Sequence, residues 1–195
     1  MEANLEELVA QLVERVGGRY FGKYRGVVTD VSDPNNQCRI RATVPAVLGE
    51  HPCGWALPAA PFAGDGHGAV LLPEIGSGVW IEFEAGQLDN PIWAGAWWAS
   101  GQRPQPQGEQ VRVIVSKAGH QVILDDAANE VKIVHGDSLI AKTITLSASD
   151  IVISCGACEI RISNESISLN NGLIKVGLAG VSLVNGAMTF GVPPT

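Results

Sequence analysis

Basic residues are in the minority. Lys and Arg number 13 against 20 Asp and Glu, a formal net charge of -7 at pH 7, and they form no cluster. A surface that tracks phosphates needs a basic face, so nucleic acid is not an expected partner, and neither is an anionic membrane held by charge. Long apolar runs are missing too. None approaches the ~18 residues of a spanning helix, and the start, Met1-Glu2-Ala3-Asn4-Leu5-Glu6-Glu7, lacks the basic-then-apolar layout of a secretory signal. The expectation is a chain made in a cytoplasm and soluble there. Cysteines are few: Cys38, Cys53, Cys155 and Cys158. Without a secretory signal, disulfides are not expected. Cys155-Gly156-Ala157-Cys158 has CxxC spacing, but no second CxxC or nearby histidine pair completes a four-ligand zinc site. Buried or idle thiols are the plain reading, and a metal site shared between subunits on an axis is its rival.

Catalytic patterns are lacking as well. There is no Gly-x-Ser-x-Gly, P-loop or His-Glu-x-x-His. His51, His67, His120 and His135 are scattered, none beside a nucleophile motif. Glu82 and Glu84 alternate along one strand face and read as a solvated edge opposite Ile81 and Phe83 rather than an acid/base pair. Asp125-Asp126 reads as a turn. Gly64, Gly66 and Gly68 alternate with Asp65 and His67 but open no helix, which a phosphate cradle would need. The chain is read as no enzyme, with no cofactor.

Glycine is plentiful, at 23, with 11 prolines, which points to short strands and turns and an all-β class. One helix is expected over residues 3–16, where Leu5, Leu8, Val9, Leu12, Val13 and Val16 follow helical spacing and Gly17-Gly18 stops it. Its apolar side either clips onto a partner or packs on its own domain. Residues 1–18 form this helical unit and 19–100 a compact β domain. Strands are expected at Tyr24–Val31, Cys38–Val44, Ala69–Leu72, Gly78–Glu84 and Ile92–Trp98, with turns at Asp33-Pro34-Asn35-Asn36 and Asp89-Asn90-Pro91. Five strands with such turns suggest a small barrel of the OB type. Trp93, Trp97 and Trp98 are read as packing residues, with stacking platforms for bases or sugars as the alternative.

Residues 101–110 form a polar Pro/Gln-rich neck, and 111–195 change character. Apolar residues two apart recur: Val131/Ile133, Ile144/Leu146, Ile151/Ile153, Ile160/Ile162, Ile167/Leu169, Ile174/Val176, Val181/Leu183 and Met188/Phe190. From Ile160 the pairs return every seven residues, five times. A coiled coil would space them three and four apart. A spacing of two shares a strand face but not a helix face, and Asn170-Asn171-Gly172 and Asn185-Gly186 are hairpin turns.

Two inward side chains per repeat do not offset the backbone entropy of ordering that repeat, and a lone ladder leaves open edges. Interwound copies sharing one dry axis solve both problems, whereas a single-chain solenoid commonly uses longer coils. The expected shared core is Ile144, Leu146, Ile151, Ile153, Ile160, Ile162, Ile167, Leu169, Ile174, Val176, Val181, Leu183, Met188 and Phe190.

Residues 37–98 resemble the OB domain of the phage baseplate protein V and VgrG spike family. The matching stretches are Gln37–Pro45, Gly54–Ala60, Gly66–Gly86 (with Leu72-Pro73-Glu74-Ile75-Gly76-Ser77-Gly78-Val79) and Asp89–Trp98. The repeat, beginning near Gly119–Asp126, is similar to the family's trimeric β-helix needle. The resemblance implies a homotrimer docked on a baseplate hub protein, a structural spike that pierces a target envelope and touches that membrane only on firing. It also implies residence in a phage virion or injection particle, with an inner tube protein or cargo as further contacts. Some family members carry a lysozyme domain between barrel and needle, for which the short neck leaves no room. Others end in a His-x-His apex. Here Phe190-Gly191-Val192-Pro193-Pro194-Thr195 has none, which implies a separate PAAR-type tip protein. The alternative is an OB module for carbohydrate or single-stranded nucleic acid with a β-solenoid tail.

Overall fold

The computed structural model describes residues 5–136, 140, 142–178, 180–184 and 187–191. The chain forms two compact units, Met1–Gln102 and Arg103–Thr195. No helix among the described residues is long and apolar enough to cross a membrane.

The first unit opens with helix α1 (Leu5–Val16), matching the helical spacing of its leucines and valines. Leu5, Leu8, Val9, Leu12 and Val13 are exposed. Strands β1 (Tyr24–Asp30) and β2 (Arg41–Thr43) follow, then a helical turn α2 (Pro45–Leu48), short strands β3 (Leu57–Pro58), β4 (Ala63–Gly64) and β5 (His67–Gly68), and the longer β6 (Gly78–Phe83) and β7 (Pro91–Trp97). One sheet has the order β2-β1-β6-β7-β3, with β3 parallel to β7 and the other pairs antiparallel. Isolated bridges Ile40↔Ala56 and Thr43↔Pro52 link the β2 end of that order to the chain entering β3. The core is Val28, Ile40, Ala42, Val44, Cys53, Ala56, Val79, Ile81 and Phe83. Alternation along β6 sends Val79, Ile81 and Phe83 inward, as a half-buried strand requires.

Three details differ from the sequence expectation. Ala69–Leu72 makes no strand, and the fifth place in the sheet goes to Leu57–Pro58. The apolar run lies between Gly68, at φ +154, and Pro73. Val70 and Leu71 stay exposed, so composition without a ladder partner did not suffice. The second strand starts late because Cys38 adopts φ +58, outside the β region. Glu84 does not continue β6. It opens a 3-10 turn, Glu84–Gly86, with Ala85 at φ +51.

The second unit is a single ten-stranded antiparallel meander in sequence order: β8 (Val111–Val115), β9 (Gln121–Asp125), β10 (Glu130–His135), β11 (Lys142–Leu146), β12 (Asp150–Cys155), β13 (Cys158–Ser163), β14 (Ser166–Leu169), β15 (Ile174–Gly177), β16 (Gly180–Leu183) and β17 (Met188–Gly191). The period has a simple cause. Four-residue strands β14–β17 alternate with links of four, two and four residues, and in the first link the Leu173 N–H donates to the Asn170 carbonyl across Asn171-Gly172, whose φ values are +55 and +89. Positive φ at both central residues is what a type I′ hairpin demands. Asn185-Gly186 lies outside the described residues, as do Val192–Thr195.

Here successive repeats pair within one chain, β8 to β17 without interruption. The short links explain this: two to six residues return the chain directly onto its own preceding strand.

Candidate functional site

Antiparallel register aligns the apolar pairs into two columns. One runs Ile144↔Ile153↔Ile160↔Leu169↔Ile174↔Leu183↔Met188, the other Leu146↔Ile151↔Ile162↔Ile167↔Val176↔Val181↔Phe190. All fourteen residues expected to form a shared core therefore lie on one face. Ile133 and Val131 extend the columns onto β10, Val122 and Leu124 onto β9, and Ile114 meets Val122 from β8. Across ten strands about 4.8 Å apart the ladder is about 43 Å long.

This apolar face is the open one. Its residues are 38% to 60% exposed, apart from Leu169, Val181 and Leu183, which are half-buried. On β11–β17 the opposite face is polar or glycine apart from Val152, whereas on β8–β10 it also carries Val111, Val113, Val115, Ile123 and Val134. There Thr143 and Ser154 share a hydroxyl hydrogen bond of 2.7 Å, and Arg161 pairs with Asp150 at 2.7 Å and Glu159 at 3.2 Å. The Asp150 and Glu159 carboxylates push the Arg161 guanidinium further up. Among the described residues of this unit only Ile123 is a buried hydrophobic. A sheet normally turns its apolar face inward, and a contiguous exposed apolar patch of this extent marks an interaction surface. The two columns are aliphatic apart from Met188 and Phe190, and such a face can associate.

A third column flanks these two. His120 and His135, far apart in sequence, have ring centroids 4.6 Å apart, and the His120 ring nitrogen Nδ1 accepts the Gly136 N–H at 3.1 Å. The sequence offered no signal for this, because the pairing depends on the β9–β10 register. His135 lies opposite Lys142, Lys142 opposite Cys155, and Cys155 opposite Cys158. No group of three or more His, Cys, Asp or Glu arranged for a metal occurs among the described residues.

The remaining sequence candidates disperse. Glu82 pairs with Lys23, while Glu84 sits in the 3-10 turn, so they share no strand face. Asp125 accepts the Ala128 N–H in a turn, and Asp126 pairs with Arg112 at 2.7 Å. His67 belongs to the β4–β5 hairpin, stacked near Phe62, with Gly64 and Gly68 in the same two strands. His51 follows α2 as an exposed residue.

The tryptophans are engaged. The Trp93 indole donates to the Cys38 carbonyl at 3.1 Å and packs on the core. The Trp97 indole donates to the Val79 carbonyl at 3.1 Å. Arg25 lies over both Trp80 and Trp97, and Arg39 over Trp55. Trp98 is exposed. Arg39 also holds the Asp33 side chain, which accepts the Asn35, Gln37 and Arg39 N–H groups as well. These bonds, the Arg39 side chain first, hold the Asp33 carboxyl far below the usual carboxylate range.

Residues 24–98 match the family of the type VI secretion system/phage-baseplate injector OB domain. The match spans β1 to β7 and the whole buried core of the first unit. No curated protein matches the chain.

Proposed function

We propose, starting from residues 24–98 as an injector OB domain of the phage baseplate protein V/VgrG-type spike family, that the chain is the central spike of a contractile injection apparatus and works as a homotrimer. The baseplate assignment accounts for the first unit. It is a mechanical part of a phage or injection particle rather than an enzyme. The puncturing role rests on the second unit, and one observation carries it: the apolar ladder of β9–β17 is the exposed face of its sheet.

Three copies with these faces turned inward make a three-sided shaft with a dry Ile/Leu/Val interior and polar sides. Because each sheet satisfies its own backbone hydrogen bonds, association needs no strand exchange between chains. It adds apolar burial at about 25 cal/mol per Å². Rigidity along the shaft follows from the unbroken ladder within each copy and from close packing between copies. The OB unit docks on the hub protein. The β17 end presents an edge strand, a natural seat for a PAAR-type tip protein.

Light scattering coupled to size exclusion tests the assembly: the expected mass is that of three chains of 20.5 kDa. A well-folded single chain at micromolar concentration overturns the proposal.

A further inference from the structure

We propose that Cys155 and Cys158 form a reversible intrachain disulfide that clamps the β12–β13 hairpin at the middle of the ten-stranded sheet. The two are direct partners in the antiparallel register. Directly opposite residues in such a pair have Cα atoms about 4.5–5.5 Å apart, inside the roughly 4.4–6.8 Å that a disulfide spans. Both thiols are free and exposed, and both follow the apolar columns onto one face, after Ile153 and before Ile160. Gly156 takes φ +61 at the first turn position and Ala157 follows with ordinary φ, the pattern of a type II′ hairpin, so the two cysteines are the pair that flanks a two-residue turn. Five strands precede this hairpin's turn and five follow it. A covalent link here ties the two halves of the sheet at their junction.

The chemistry needs an oxidant, and a small-molecule disulfide supplies it. One cysteine thiolate attacks the reagent and expels one small thiol, leaving a mixed disulfide. The second cysteine thiolate then attacks the protein sulfur of that mixed disulfide and expels the second small thiol. Two protein thiols are oxidised and one reagent disulfide is reduced to two thiols; the protons the protein thiols lose on ionising end on the two expelled small thiolates, with no net proton released. In a reducing cytoplasm the pair stays open, as expected from the sequence. It closes when the chain meets an oxidising compartment. The inference rests on one chain's hairpin; the proposed trimer turns this face inward, so the bond closes before the copies associate.

The full chain is refolded from urea in mixtures of reduced and oxidised glutathione, trapped with an alkylating reagent and mapped by peptide mass spectrometry. Cleavage after Lys142 and Arg161 releases segment 143–161 with both cysteines. The expected product is that segment lighter by two hydrogens and unalkylated, with Cys38 and Cys53 still alkylated and full reversal by dithiothreitol. The paired fraction in folded protein exceeds that of urea-unfolded chain several-fold at the same mixture. Cys155→Ser converts the product to a glutathione adduct on Cys158. A doubly alkylated segment, separate adducts on both cysteines, pairing between chains, or a fraction no higher than in unfolded chain each overturns the proposal.

Discussion

Ile153 on β12 and Ile160 on β13 face each other in register on the open side of the sheet, 43% and 40% exposed although both are aliphatic and centrally placed. Their neighbours across the hairpin on the other face, Val152 and Arg161, are the less exposed pair. A protein that solved its folding problem alone would show the reverse. The inversion repeats from strand to strand. It makes the proposed assembly a question about one surface, which single substitutions can probe.

Ile160→Asp places one carboxylate per copy in the proposed dry interior, three in all, near one another and without partners. A buried unpaired charge is costly enough to block assembly. The expected outcome is a shift of the scattering mass from three chains to one. An intact trimer counts against the inward-facing arrangement.

Ser168→Asp is the matched control. Ser168 lies between Arg161 and Lys175 on the polar face, so the new carboxylate stands between two cations and away from the apolar columns. The mass is expected to remain that of the wild-type assembly, with a change in stability within about 0.5 kcal/mol. Dissociation of this variant shows that the wrong face was assigned to the interior.

Gly78→Ala tests packing in the OB unit. A β-carbon at residue 78 falls 2.5 Å from the Trp97 ring, whose indole is held by the Val79 carbonyl. Overpacking of this kind costs about 1–3 kcal/mol. The expected result is a lower midpoint for the OB unit in denaturant, read by Trp fluorescence. An unchanged midpoint shows that Trp97 is free to move.

Asp33→Asn tests the loop after β1. The folded Asp33 carboxyl titrates below its unfolded value of about 3.9. A depressed folded value contributes stability above that unfolded value and loses it as pH falls toward the folded one. The variant is therefore expected to melt below wild type at pH 7, with the difference shrinking below about pH 4. A difference independent of pH contradicts the ionic origin.

Binding of oligonucleotides or glycans would rescue the reading of the first unit as a recognition module. Arg25 already lies over Trp80 and Trp97, and Arg39 over Trp55. Titration with either ligand class is expected to leave Trp fluorescence unchanged. A saturable change would place ligand recognition back on this domain.

Much of this was legible in the chain itself. The spacing of two between Ile160 and Ile162, or Ile167 and Leu169, defines a strand face whatever the fold around it, because side chains alternate along any strand. The Leu/Val spacing of α1 placed a helix now found at Leu5–Val16. Turn chemistry at Asp33 held because its carboxylate caps its own loop. Ala69–Leu72 misled for the opposite reason. An apolar run becomes a strand only when a neighbour accepts its hydrogen bonds, and here Leu57–Pro58 pairs with β7.

The sequence alone determined the periodicity, the all-β class and the set of residues on the apolar face, since these depend on local geometry and on which side chains avoid water. Only the tertiary structure decided that successive repeats pair within one chain, that His120 meets His135 and Cys155 meets Cys158, and that Arg25 lies over two tryptophans. Those relations depend on register and on the direction of turns. A shift of one residue would have exchanged the two faces of every strand, and local preference does not select among such alternatives.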